Sequence, residues 1–418
     1  MFVSVRRMLG FLPLVGLFGF AMAQGGEGLD LSELQKKLHI YGYFSTRYEK
    51  VWNEPDLQDG VIREESSPGE FTFPYFSLML QQQFSQKFKL FININGEDFD
   101  SLDIANGWGE YARNAAFNIR VGKIYRSFGL YNELLDAVPV YFGIEPPELF
   151  DGDHLLISRT TNLMVWGTFE RENGTIRYSI TTDDGEGDRG SDTFPIGFDL
   201  RYTFNLDSQV VGISGYTSGG DTAGDRGVGE GSPDGGVLPW MAEDAFDIIG
   251  GFWEGTFKNL TLQFEYWNAR HDAVRDPNAV LTVVQNAGLL PTQLARFLLD
   301  PNGPLTLDNV RTNADFDVET WYLRAGYSHM TQRGEVTPYF QWDWYANPET
   351  IKNKTYGGDN EAGAADDGEF SKATIGVAYR PTPNTAIKVD VSSHFYTLNG
   401  EDVDYPEVRV DCSFIFGK

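Results

Sequence analysis

Basic side chains recur on one face of several alternating segments, and in a closed tube that face would line the interior. Period-two alternation places seven of them on the inward, polar face of predicted strands: Lys89, Arg120, Arg177, Arg201, Arg324, Lys388 and Arg409. One long connection carries four candidate partners of opposite charge: Asp136, Glu145, Glu148 and Asp151. Facing rows of opposite charge make and break no bonds, but their field selects among passing ions. The alternative is that these charges pair with one another and only brace the connection against the wall.

Enzymatic chemistry finds little support in the residue pattern. The five histidines are scattered, and neither HExxH nor GxSxG occurs. The single cysteine, Cys412, excludes an internal disulfide and a thiolate metal cluster. We therefore predict no catalytic residues, no metal and no cofactor. A net charge of −27 without a clear basic patch argues against nucleic acid as a partner.

The N-terminus has the three parts of a secretory signal peptide. Arg6 and Arg7 precede an apolar run from Met8 to Phe20, and residues 21–23 read Ala-Met-Ala. The run is shorter than the roughly 20 residues that a membrane-spanning helix needs. We predict a signal peptide over residues 1–23, a periplasmic lead over 24–37, and a transmembrane β-barrel domain over 38–418.

The rest of the chain alternates in the manner of strands. Phe117, Ile119 and Val121 fall on one face, and Asn118 and Arg120 fall on the other. We count sixteen such segments, joined by seven short and eight long connections in alternation. The fourth strand is predicted over 107–112, the last over 405–416, and one helix over 281–299. This pattern favours an all-β fold, a transmembrane antiparallel β-barrel of 16 strands with long extracellular loops and an inward-folded third loop.

Two soluble architectures would also alternate. A β-sandwich does not segregate its long connections to one end, and a propeller would repeat a sequence motif in every blade. Neither expectation fits this chain as well as a barrel does.

The segment from Asn118 to Asn132, NIRVGKIYRSFGLYN, resembles a block of Gram-negative outer-membrane porins. The group it is most similar to is the superfamily that includes the phosphate-selective porins. The resemblance implies a homotrimer in the cell outer membrane, in contact with lipid and lipopolysaccharide. It also implies a water-filled channel for small solutes and ions, narrowed by the third loop. Members selective for phosphate line their pores with basic ladders, whereas here five carboxylates share the basic face: Asp199, Glu265, Asp343, Asp390 and Asp411.

The sequence therefore predicts an outer-membrane porin for passive diffusion of small hydrophilic solutes. Its acidic loops predict a weak preference for cations at the channel mouth. Two other interpretations stay open. One is a plugged barrel with a structural or adhesive role, and the other is an outer-membrane hydrolase.

Overall fold

The computed structural model describes residues 38–58, 61–97, 101–134, 141, 143–150, 157, 159–183, 194–204, 208–218, 238–353 and 361–417. The predicted signal peptide and the periplasmic lead lie outside the described residues, as do Asp136 and Asp151 of the predicted acidic set.

Sixteen strands form the wall, and they are numbered here in chain order. They are β1 Leu38–Val51, β2 Glu70–Gln83, β3 Phe88–Glu97, β4 Ser101–Asn114, β5 Phe117–Tyr125, β6 Thr160–Arg171, β7 Gly174–Thr182, β8 Ile196–Phe204, β9 Gln209–Thr217, β10 Met241–Phe257, β11 Leu260–Arg275, β12 Phe316–Tyr327, β13 Gly334–Ala346, β14 Glu369–Thr382, β15 Thr385–Leu398 and β16 Glu401–Gly417. After Ser328, β12 continues as a short segment, His329–Thr331, which also pairs with β13. A separate hairpin of Glu54–Gln58 and Val61–Glu65 lies in the first loop.

Every strand pairs antiparallel with its neighbours in the chain, and the first strand closes the sheet on the last. The closing register runs from Tyr41 opposite Gly417 to Val51 opposite Glu407. An even number of strands lets this last pairing be antiparallel as well. The predicted closed barrel of sixteen antiparallel strands is thus confirmed.

Three predicted boundaries are wrong. Strand β4 spans Ser101–Asn114 instead of 107–112, because its pairing with β3 continues past a bulge. Strand β16 begins at Glu401, so the eighth long connection is only a turn. Asn399 and Gly400 have φ values of 53° and 78°, the left-handed pair of a tight hairpin turn. This turn lets pairing begin at once, with Leu398 opposite Glu401.

The third wrong boundary is the single helix over 281–299. The sixth loop, residues 276–315, holds two helices instead, α1 Pro277–Asn286 and α2 Pro291–Phe297. Gly288, with φ of 68°, and Pro291 interrupt the helical backbone between α1 and α2. Within the described ranges, no helix combines the length and the apolar character needed to span a bilayer.

The two faces of the wall differ in polarity. On β11, Phe264 and Tyr266 point outward with 40% of their surface exposed, whereas Gln263 and Glu265 point inward and are buried. Large exposed apolar side chains recur on the outer face around the barrel. An apolar outer belt around a polar interior is typical of a barrel that faces lipid.

An apolar core fills much of the interior towards the end that carries the long loops. Trp240 of the fifth loop and Phe297 of the sixth loop are fully buried, and their ring centroids lie 5.6 Å apart. Phe128 of the third loop stacks on the inward-facing Trp267, with ring centroids 4.1 Å apart. The described parts of the third, fifth and sixth loops are therefore packed into the barrel at this end.

Candidate functional site

The third loop follows β5, and its described residues, 126–134, 141, 143–150, 157 and 159, lie inside the barrel. Its start is fixed by contacts with the wall strands β8, β9 and β11. The backbone N–H of Leu130 donates to the Glu265 carboxylate at 3.1 Å, and that of Gly129 donates to Ser214 Oγ at 3.2 Å. Arg201 donates to the carbonyl oxygen of Gly129 at 3.2 Å. Gly129 has φ of 59°, and a Cβ there would collide with Glu265 and Trp267. Glycine is required here by backbone conformation and by space together.

Arg324, on β12, clamps the middle of the loop. Its side chain is completely buried, and its Nη2 donates to the carbonyl oxygen of Glu145 at 3.0 Å. Its other nitrogens donate to the hydroxyl of Tyr131 and to the side-chain oxygen of Gln341. The guanidinium also lies over the Tyr131 ring, 5.0 Å from its centroid. One wall residue thus holds two separate parts of the loop.

The second half of the described loop is held by basic residues of β1 and β14 to β16. Lys388 donates to the carbonyl oxygen of Gly143 at 2.6 Å, and Lys372 pairs with Glu148. Arg47 pairs with the Glu145 carboxylate, and Arg409 lies 3.9 Å from it.

These two arginines set the charge state of Glu145. Burial alone would raise the pKa of its carboxyl group, but the fields of Arg47 and Arg409 lower this pKa to about 2. The Glu145 carboxylate therefore stays charged at any physiological pH, and its ion pair with the wall persists.

The opposite part of the wall, over β3 to β7, carries a second group of cations. Arg120 donates to Glu110 at 2.5 Å, and Lys89 lies 3.3 Å from the same carboxylate. The Arg120 guanidinium lies between two indoles, 4.2 Å from the centroid of Trp108 and 4.9 Å from that of Trp166. Side-chain exposure is 15% for Arg120 and 24% for Lys89.

Arg177 continues this row on β7. It lies 5.7 Å from the Trp166 centroid, and it pairs at 3.1 Å with Glu133 near the start of the third loop. About 30% of the Arg177 side chain is exposed. We call Lys89, Trp108, Arg120, Trp166 and Arg177 the cation–aromatic ladder.

The structure therefore divides the predicted basic residues into two groups. Arg324, Lys388 and Arg409 are engaged with the third loop, which is the bracing geometry. Lys89, Arg120 and Arg177 lie on the ladder. Arg177 belongs to both groups, because it also pairs with Glu133 of the third loop. Arg201 lies outside the ladder; it holds Gly129 and forms an ion pair with Asp199 at 2.7 Å. Of the predicted acidic residues, Glu145 and Glu148 contact the wall, and the other two lie outside the described residues.

Sequence reasoning missed three basic residues that hold the loop, Arg47, Lys372 and Arg380, the last of which donates to the carbonyl oxygen of Tyr141 at 3.0 Å. The signal was present for Arg47 and Lys372. Arg47 follows Tyr43 and Ser45 at intervals of two on β1, and Lys372 precedes Thr374 in the same way on β14. All three of these neighbours face inward, so strict alternation extended along each strand would have found both cations.

The fold matches solved outer-membrane porins. An anion-selective porin from Comamonas acidovorans superposes with a TM-score of 0.55 at 11% identity, covering 91% of this chain and 99% of that chain. The outer-membrane channel DcaP of Acinetobacter baumannii superposes with a TM-score of 0.52 at 9% identity, covering 91% and 97%. No protein-family profile and no curated sequence matches this chain. At such low identity the likeness establishes the barrel fold and assigns no solute.

Proposed function

We propose that this protein is a porin of the Gram-negative outer membrane and not an enzyme. It lets small hydrophilic solutes and ions diffuse passively through the barrel. The observation that carries the proposal is an asymmetric interior. Most contacts of the described third loop with the wall fall on β8 to β16 and β1. The cation–aromatic ladder on β3 to β7 touches this loop at Arg177 and keeps partly exposed charges. Charged, partly exposed side chains keep water in a lumen and discriminate among ions.

The surroundings of the channel belong to the same proposal. The apolar outer belt supports contact with membrane lipid, and the long loops would meet lipopolysaccharide on the cell surface. A homotrimer and a place near the phosphate-selective porins rest on the block from Asn118 to Asn132. Phosphate selectivity receives less support, since buried carboxylates such as Asp343 and Asp390 share the wall with the cations.

One observation favours a second candidate, a plugged barrel with a structural or adhesive role. Trp240, Phe297 and Trp267 are fully buried in the apolar core inside the barrel. A core of this kind would stop conduction if it extended across the whole cross-section.

Single-channel recording in a planar bilayer, with a salt gradient across the membrane, separates the two candidates. We expect stepwise conductance from protein that shows the heat-modifiable mobility of a folded barrel. The reversal potential then shows whether the acidic loops or the basic ladder sets the ion preference. A heat-modifiable barrel that inserts and gives no current steps would refute the porin and favour the plugged barrel.

A further inference from the structure

Among the described residues, the three cations of the ladder pair with two carboxylates, those of Glu110 and Glu133. Lys89 and Arg120 share the single carboxylate of Glu110, and Trp166 Nε1 donates to the same carboxylate at 3.1 Å. Glu110 is 5% exposed, so three donors surround a buried acceptor. Counted over the described side chains, the ladder and its partners therefore keep about one unit of positive charge beside the lumen.

Aromatic rings hold these cations in place without cancelling their charge. Arg120 lies between Trp108 and Trp166, and Lys89 Nζ lies 5.0 Å from the Trp108 centroid. Phe91 stacks on Trp108 at 5.3 Å and extends the apolar surface. A cation–π contact orients a guanidinium through the ring quadrupole, which carries no net charge. The result is a fixed, planar cation with flat apolar surface on both sides.

The position suits a solute within the channel. Lys89, Arg120 and Arg177 lie within the first four residues of β3, β5 and β7, near the short-turn end. The apolar core of the loops lies towards the other end. Phe91 and Trp166 are half-buried, so part of each ring stays accessible beside Arg120.

We propose that the cation–aromatic ladder binds small aromatic carboxylates during their passage. This inference rests on the proposed function and deepens it by assigning a solute class. The carboxylate pairs with Arg120 and Lys89, since a guanidinium binds a carboxylate through two parallel N–H donors. The flat ring of the solute lies against Phe91 and Trp166. A small anion without a ring uses only the charge, and a neutral ring uses only the apolar surface, so both bind more weakly.

The test uses 4-nitrobenzoate as the probe, 4-nitrobenzyl alcohol as its neutral counterpart, and acetate and phosphate as anions without a ring. One readout is block of the potassium chloride current through single channels. The second is quenching of tryptophan fluorescence in detergent micelles, which needs no conduction. We expect saturable block and quenching by 4-nitrobenzoate alone among the four.

The variants separate charge from ring. Arg120→Gln and Trp166→Leu should each raise the half-saturating 4-nitrobenzoate concentration by about tenfold or more, the loss of one charged or stacking contact. Arg171→Gln is the matched control, because it removes the same charge from an exposed position on β6 and should change nothing. If Arg120→Gln does not fold, Arg120→Lys keeps the charge and loses the paired donors, and it should still weaken binding.

Three results would overturn the inference. The first is equal block by acetate, phosphate and 4-nitrobenzoate, which would show that the ladder acts through its charge alone. The second is equal affinity for 4-nitrobenzoate in the Arg120→Gln and Arg171→Gln proteins. The third is a conducting channel without saturable block or quenching, which would refute solute binding at the ladder and leave the porin function standing. Arg120-dependent quenching in a barrel that does not conduct would support solute binding at the ladder and refute the porin function.

Discussion

Replacement of Arg324 by methionine tests whether the wall holds the third loop in the lumen. The guanidinium is fully buried and donates to three acceptors, the Glu145 carbonyl, the Tyr131 hydroxyl and the Gln341 side chain. Methionine keeps most of the apolar volume and supplies no donor.

The magnitude follows from the acceptors left behind. Each buried acceptor that loses its partner costs about 1–3 kcal/mol, and water from the lumen reduces the cost to the lower end. Three acceptors then give about 3 kcal/mol, which is roughly a hundredfold change in the ratio of seated to released loop. The strand pairing is untouched, so the barrel itself should keep its heat-modifiable mobility.

Single-channel recording measures the effect. We expect the Arg324→Met channel to show frequent current transitions and a larger mean conductance than the wild type. Arg333→Met is the control, because Arg333 is an exposed cation in the turn between β12 and β13. If both variants are as quiet as the wild type and conduct equally, Arg324 does not hold the loop and the clamp argument is wrong.

Two further predictions concern the same loop. Glu145→Gln should lower the thermal unfolding midpoint at pH 7. The pKa of Glu145 is depressed to about 2, so its charged form contributes at most about 3 kcal/mol to the free energy of unfolding. This contribution is complete above the ordinary pKa near 4.3 and disappears as the pH falls towards 2. A difference between the two midpoints that does not shrink between pH 5 and pH 2 would contradict this. Gly129→Ala should destabilise the loop by about 2–4 kcal/mol through backbone strain and a clash, whereas Gly288→Ala, at a similar φ with open space around it, should cost only about 1–2 kcal/mol. Equal unfolding midpoints in the two alanine variants would show that the clash with Glu265 and Trp267 is absent.

The wall of this barrel is readable from the sequence because side chains alternate with a fixed period. Inward placement of Arg120 or Lys388 needs only that period and a strand boundary. The bracing partners are not readable in the same way. Arg324 binds the main-chain carbonyl of residue 145, which lies 179 residues earlier in the chain. Lys388 binds that of residue 143, which lies 245 residues earlier. Every residue of the chain has such a carbonyl, so no residue type marks the contact.

The outer loops were predicted least well, for a related reason. Arg296, on α2, donates to carbonyl oxygens of the seventh loop, at Pro348 and Asp366 at 2.6 Å each. Its partners carry no charge, and charge pairing was the signal used in the sequence. The broken helix was the other error, because a positive φ at Gly288 ends α1 where apolar periodicity alone predicts continuation.

The use of main-chain acceptors bears on how the third loop can change over generations. Arg201, Arg324 and Lys388 fix the third loop through the carbonyl oxygens of Gly129, Glu145 and Gly143. A carbonyl oxygen survives almost any mutation of the side chain next to it. A substitution in the loop therefore leaves these three acceptors in place, and in the proposed porin the cations of the wall would continue to hold the path of the loop.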